Sequence, residues 1–393
     1  MRSFGRSGLG WRLAGLVLLL VAIGSNAAAV DGFQLTEITA LPGSPGFGNF
    51  PDINDDGDVA FSANGEIYLY VRSTQNLLNV SALPGAPASA SYPKLNNQRN
   101  IAMANNATKE IWLYQAGDGT FTRLQDVPGF PGNTGANIIG YAMDLNDDDQ
   151  ISFQSGDNNN GDIYVYDHGT SSFEKVTDRA GGSTRGRENR INNARQVVYM
   201  GFPDVYRYDI DSQTTLDISQ LPGADGFNAS DFDSNANGDI AMCRGNQVVF
   251  YDEATAGFED LSLLPGYPQG QASSLCSLAN DGDIVFSRTR LDFFYDIYWF
   301  DAETSIFTLM NDAPSGTNSQ GVINNRGEIA LATGSVLFYD IFLAVPEAAA
   351  VPAITGPLAL AASLLLATTG GAFLARRRLT VVDLKAPLRG RSR

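Results

Sequence analysis

The chain has 393 residues, with 26 Lys and Arg against 43 Asp and Glu, two Cys and a single His, His168. A lone imidazole excludes catalytic triads and metal centres that need several histidines. Residues 30 to 350 carry sixteen basic and 42 acidic side chains, a net of −26 behind the formal −17 of the whole chain; such a body repels phosphate backbones, which excludes nucleic acid as a partner.

Residues 1–29 read as a secretory signal peptide: Arg2, Arg6 and Arg12, the apolar run Leu13 to Ile23, then small residues in which Ala27 and Ala29 fit the cleavage rule. The mature chain then starts near Val30. The alternative is an uncleaved anchor, although the run is shorter than the ~20 residues that a spanning helix needs.

From residue 30 to 345 the chain repeats. One turn motif recurs as INDDGDVA (53–60), LNNQRNIA (95–102), LNDDDQIS (145–152), INNARQVV (191–198), SNANGDIA (234–241), LANDGDIV (278–285) and INNRGEIA (323–330), at spacings of 42 to 50 residues. Each turn is followed by an apolar strand, then an aromatic-rich strand such as IYLY (67–70) or IYVY (163–166), then a polar turn and a fourth segment ending in a Pro/Gly connector. β-branched and aromatic residues suit a pleated, half-buried surface, and the Asn/Asp/Gly clusters supply tight hairpins. Four strands per unit and seven units predict an all-β ring of seven four-stranded blades; a β-sandwich with coincidental spacing is the competing reading. The seventh unit stops at Val345-Pro346 without its fourth strand, while residues 33–43, FQLTEITALPG, resemble a stray fourth segment. The N-terminal strand is therefore expected to close the last blade and leave no open sheet edge.

This order of turn, IAF-like strand, IYVY-like strand and F-x-x-L strand resembles the β-propeller repeats of the TolB and WD40 kinds. The resemblance covers about 310 residues. It implies a seven-bladed propeller and leaves the activity open, since propellers host binding proteins, scaffolds and enzymes.

Several constellations carry possible chemistry. Asp52, Asn54, Asp56 and Asp58 around Gly57 place oxygen donors at alternate positions, as calcium loops do; Asp144, Asn146 and Asp148, and Asp233 and Asn235, repeat the pattern. Metal-free turn chemistry accounts for the same residues, and Arg99, Arg195, Arg326 or Ala279 occupy the turn in other units. Arg179, Arg185, Arg187 and Arg190 cluster within twelve residues and offer guanidiniums to a ligand carboxylate or sulfate, or else pair with nearby acids. Tyr92, Phe130, Tyr141 and Tyr267, beside glycines in the inter-blade connectors, are candidates for stacking on sugars or for plugging gaps between blades. Cys243 and Cys276 fall in adjacent units, where export permits a disulfide. His168, in the turn YDHGT, reads as a solvated turn residue.

At the carboxyl end, Val351 to Ala375 is uncharged, long enough to cross a bilayer and followed by Arg376-Arg377-Arg378, so the arginines belong in the cytoplasm. With Val345-Pro346-Glu347 ahead of it, the segment 346–378 resembles a PEP-CTERM sorting tail, which implies an exosortase-type processing enzyme and a Gram-negative-type cell surface. A plain single-pass anchor is the alternative, with 379–393 as a basic cytoplasmic tail. The expected role is non-enzymatic binding or scaffolding of extracellular carbohydrate or protein. The alternative is a carboxylate-dependent glycan-cleaving enzyme, whose mark would be two carboxylates from different blades, roughly 5 to 10 Å apart, meeting in a buried central pocket.

Overall fold

The structure is a computed structural model that describes residues 29–30, 32–105, 107–131, 142–156, 161–201, 203–224, 229–269, 271–289, 295–310, 318–335 and 338–347. Residues 1–28, most of the expected signal, and 348–393, with the expected spanning segment, lie outside them, as does Tyr141. Among the described residues there is no α-helix, and none long and apolar enough to cross a membrane.

Seven antiparallel blades follow one another along the chain: blade 1 at 49–79, blade 2 at 91–123, blade 3 at 143–175, blade 4 at 187–217, blade 5 at 231–260, blade 6 at 271–309 and blade 7 at 318–346, the last two joined into one sheet by the pairing of Tyr295 with Asn318. In each of the first six, four strands pair in sequence order from the innermost outward. The second strand is buried along its whole length in Val59–Ala63 and Ile101–Asn105, because a neighbouring blade covers each of its faces. That is why these strands read as unbroken apolar runs instead of alternating. The core is accordingly divided into seven wedges, one between each pair of adjacent blades.

The ring closes as the sequence predicts. Phe33–Glu37 pairs with Phe338–Pro346 in antiparallel register, Phe33 opposite Pro346 and Glu37 opposite Phe342. Ile38 N continues the ladder to Ile341 O at 2.7 Å. Ala29–Val30 adds a short fifth strand outside it. Val30 and Phe33 enter the wedge between blades 6 and 7, and Ile38 the wedge between blades 7 and 1.

The repeated turn motif ties neighbouring blades together. Asn54 Oδ1 accepts the backbone N–H groups of Asp56 and Asp58, both at 3.0 Å, an Asx arrangement that fixes the turn. Its Nδ2 donates to Asn96 O of blade 2 at 3.2 Å. Asn96, Asn146, Asn192 and Asn235 each reach the next blade in the same way, and Asn324 returns to Asn54 O at 2.8 Å. Ala279 holds this position in blade 6. One residue on, a second circuit links blades: Asp55 N donates to Asn97 Oδ1 at 2.8 Å, Asn97 N to Asp147 Oδ1 at 2.8 Å, and Asn325 N to Asp55 Oδ1 at 3.0 Å. The third residue after the Asn has positive φ in all seven turns. It is Gly in four blades, and Arg99, Asp149 and Arg195 in the others.

Cys243 and Cys276 form a disulfide between the second strand of blade 5 and the inner strand of blade 6, with Cα atoms 6.0 Å apart.

Candidate functional site: a charged central cavity

The seven inner strands surround the ring's axis, and the residue just before each turn motif faces its counterparts. That position reads Asp52, Lys94, Asp144, Arg190, Asp233, Ser277 and Val322. With Asp231 and Gln320, these side chains line a central cavity of about 260 Å³. A smaller cavity of about 140 Å³ lies on the turn side of the axis, where Asn97, Asp147 and Asn193 project; Leu95, Leu145 and Ile323 border both.

The mouth of the larger cavity is shaped by β-bulges near the start of the inner strands of blades 1, 2, 4, 6 and 7. A bulge leaves an extra residue that re-aims a side chain. In blades 1 and 2 that residue is aromatic and left-handed: Phe50 at φ 52° and Tyr92 at φ 54°. Bulky side chains rarely adopt this backbone, and such strain collects at ligand sites. The two rings lie against each other with centroids 4.1 Å apart and both border the cavity. In blade 4 the same bulge holds Glu188 at φ 46°.

Each of the cavity's aspartates is tied to the scaffold through Oδ2, and Asp233 also accepts Ser234 N through Oδ1 at 2.9 Å. Asp52 Oδ2 accepts Leu95 N at 2.6 Å, Asp144 Oδ2 accepts Ile191 N at 3.0 Å, Asp233 Oδ2 accepts Leu278 N at 2.9 Å and Asp231 Oδ2 accepts Cys276 N at 3.1 Å. These bonds run to the following blade, so each carboxylate is held rigidly. Arg190 Nη2 pairs with Asp231 Oδ1 at 2.9 Å, and Lys94 Nζ lies 3.7 Å from Asp144 Oδ1. Asp52 and Asp233 have no ion pair among the described residues.

Burial pushes Asp52 up to about 6, with Lys94 and the Leu95 amide opposing it. Asp233 also rises to about 6 through burial, Arg190 opposing. Glu188 is raised to about 7, first by burial and then by Asp231. Burial works against the charge of Lys94 and Arg190, yet the surrounding carboxylates outweigh it and raise both. The site therefore holds fixed cations amid acids that ionise at a cost.

The other candidate residues are distributed differently. Of the four arginines, Arg190 alone reaches the cavity. Arg179 pairs with Glu174 at 3.0 Å, Arg187 Nε points at Met200 Sδ and Arg185 is exposed, so no four-membered fork forms. Of the aromatics, Tyr92 borders the cavity. Phe130 packs on Phe153 and Phe173 between blades 2 and 3, and Tyr267 on Phe286 and Phe307 between blades 5 and 6. The donors proposed for calcium diverge. Asp52 faces the cavity and Asn54 the inter-blade circuit; Asp56 faces Arg326 at 3.2 Å on the rim, and Asp58 accepts Arg72 N and pairs with Arg99. Asn146 and Asn235 close turns as Asn54 does, Asp148 pairs with Arg195 at 3.4 Å, and Asp144 and Asp233 belong to the cavity. Among the described residues no group of three or more His, Cys, Asp or Glu is placed to hold a metal ion. His168 lies in a hairpin turn of blade 3, its Nδ1 3.4 Å from Tyr166 Oη.

Sequence reasoning missed Lys94, Asp231 and Glu188. For Lys94 the signal was present in the alignment of repeats, where the position before the turn motif is charged in five successive units; Glu188 and Asp231 stand two residues earlier.

No family model matches the sequence, and no curated protein matches it. Solved structures do. A streptogramin B lyase shares 12% identity over 81% of this chain and 99% of its own, with a TM-score of 0.55. A chain of the mitotic checkpoint complex shares 12% identity over 88% of this chain and 100% of its own, with a TM-score of 0.53. The extracellular domain of a putative one-component system from B. thetaiotaomicron shares 11% identity over 80% of this chain and 40% of its own, with a TM-score of 0.50. At such identities the likeness establishes the fold, a seven-bladed β-propeller, and the cavity must speak for the function.

Proposed function

We propose that the chain is an exported β-propeller, tethered at a Gram-negative-type cell surface, that binds an extracellular carbohydrate or protein group in its central cavity without transforming it. The observation that carries this reading is the cavity itself: rigidly held charged groups beneath a strained aromatic pair, the mixture of polar fixing points and apolar surface found in ligand sites. Export is supported by the signal-like residues 1–29 and by the Cys243–Cys276 disulfide, a bond that persists in oxidising compartments. Tethering rests on the apolar stretch 351–375 with its arginine cluster, and sorting on the PEP-CTERM-like segment 346–378. No histidine lines the cavity, so an imidazole acid or base is unavailable to a bound substrate.

A screen of the exported chain against glycans and surface proteins tests the reading, with a Phe50→Ala, Asp52→Asn double variant beside it. The expected result is a ligand whose affinity falls at least about tenfold in the variant, the loss of one good charged hydrogen bond or more. Ligands bound equally by both proteins would remove the cavity from the function. A carboxylate-dependent glycan hydrolase is the second reading, favoured by Asp52 and Asp233 from different blades, each raised to about 6 in one cavity. Release of new reducing ends from a screened glycan would establish it.

A further inference from the structure

The charges around the cavity do not balance. Of its four aspartates, Asp231 is matched by Arg190 and Asp144 by Lys94, while Asp52 and Asp233 have no cation within ion-pair distance among the described residues. Asp52 uses Oδ2 for Leu95 N, and its Oδ1 makes no hydrogen bond there. Half-buried carboxylates without an ion pair are costly, and at Asp52 the fold makes use of one oxygen only. The Leu95 amide that Asp52 accepts needs only an acceptor, which an asparagine supplies without charge, and in blade 6 Ser277 Oγ performs the same service for Ile323 N at 3.1 Å; Asp233 accepts two amides, Leu278 N and Ser234 N, yet its charge too lacks an ion pair among the described residues.

What would compensate them is a positive charge from outside. Among the described residues the carboxylates do not converge into a metal-holding group, which favours an organic cation over a metal ion. The cavity is large enough for a small molecule, or one unit of a chain, and its mouth carries the tilted, touching rings of Phe50 and Tyr92, whose π-faces favour a cation over an anion. Among the described residues Lys94 Nζ makes no hydrogen bond beside its ion pair with Asp144, and it is a donor for a ligand hydroxyl.

Resting on the reading of the cavity as a binding site, we infer that its ligand is a small organic cation, a protonated primary amine whose ammonium sits between Asp52 and Asp233 and whose stem lies on Phe50 and Tyr92. An amino sugar and an aliphatic diamine share this chemistry, and the experiment separates them.

The test is calorimetric titration of the full chain at pH 7.5 with glucosamine and with cadaverine, alongside N-acetylglucosamine and glucose as uncharged controls. At least one amine is expected to bind while the uncharged sugars do not, and the tighter amine identifies the source. Asp52→Asn and Asp233→Asn should each weaken that binding at least tenfold, with melting temperatures showing that both variants fold. Acidification to pH 5 should weaken it as well, since Asp52 faces Lys94, Asp144 and Arg190, and Asp233 faces Arg190, Asp144 and Lys94, and both take up protons in that interval. Uncharged sugars binding as tightly as the amines, or amine binding indifferent to the two asparagine variants, would overturn the inference and leave the binding reading standing. If neither these compounds nor the wider screen yields a ligand, both fall.

Discussion

Asn54 shows how one side chain serves two levels of structure. Its Oδ1 holds two amides of its own turn and its Nδ2 holds the next blade's carbonyl, the bonds to Asp58 N and Asn96 O lying in buried surroundings. Asn54→Ala should therefore leave Asp58 N without its partner and take from Asn96 O one of its two donors, the other being Arg99 N at 3.0 Å, at a cost of about 1 to 3 kcal/mol, the penalty of a stranded buried polar group. Urea unfolding would measure it; a loss below about 0.5 kcal/mol would show that water replaces the amide. Blade 6 manages with Ala279 because Asp281 Oδ1 takes Asp283 N at 3.2 Å instead. The same residues show why a calcium reading arises from sequence. Donors at 52, 54, 56 and 58 share a face only while the backbone stays extended. The turn begins at Asn54 and swings Asp56 and Asp58 away from Asp52. Read across repeats rather than along one, the position of Asp52 aligns with Lys94, Asp144, Arg190 and Asp233, and equivalent positions on strands beside a common axis must face one another.

Among the elements, Phe33–Glu37 has the largest consequence for its length. It is the outer partner of Phe338–Pro346, and with Ile38 it supplies apolar side chains to two wedges of core. Deleting residues 33–40 should expose the edge of the last blade and both wedges, lowering the melting temperature by more than about 10 °C and promoting association through the bared strand. Melting curves of the truncated and full chains settle the matter, and coincident curves would mean that closure does not stabilise the ring. This strand was legible in the sequence because a fourth segment was missing at one end and left over at the other. The bulges were not. A bulge is a mismatch between two paired strands, and nothing in S-Y-P-K or N-F-P-D taken alone reports that Tyr92 and Phe50 turn left-handed. The connectors' aromatics look alike in sequence for the same reason: Phe130 falls in a wedge and Tyr92 at the cavity because of where the pairing slips.

At the scale of the whole molecule, acid should first strengthen this protein and then weaken it. Burial raises Asp52, Asp233 and Asp283 to about 6 and Glu188 to about 7. Between roughly pH 4 and 7 the folded chain thus holds more protons at these groups than the unfolded chain does, and stability falls as pH rises through that window. Asp167 and Glu253 are also drawn upward by burial, but bonds from Gln150 and Thr170, and from Arg207 and Tyr251, outweigh it and hold them below their ordinary range. Their contribution is present above the unfolded values near 4 and is lost as the pH drops further. The melting temperature should therefore rise by several degrees from pH 7.5 to about 5 and fall below pH 4, as calorimetric scans across that range would record. A steady decline from pH 7.5 downward would show that the cavity acids are not desolvated as their burial implies. The body's net charge of −26 acts in the same direction, since self-repulsion diminishes as carboxylates protonate. Added salt should accordingly raise the melting temperature at pH 7.5 more than at pH 5. Stability and amine binding then respond to acid with opposite signs, as expected when the carboxylates that burden the empty fold are the ones that hold the ligand.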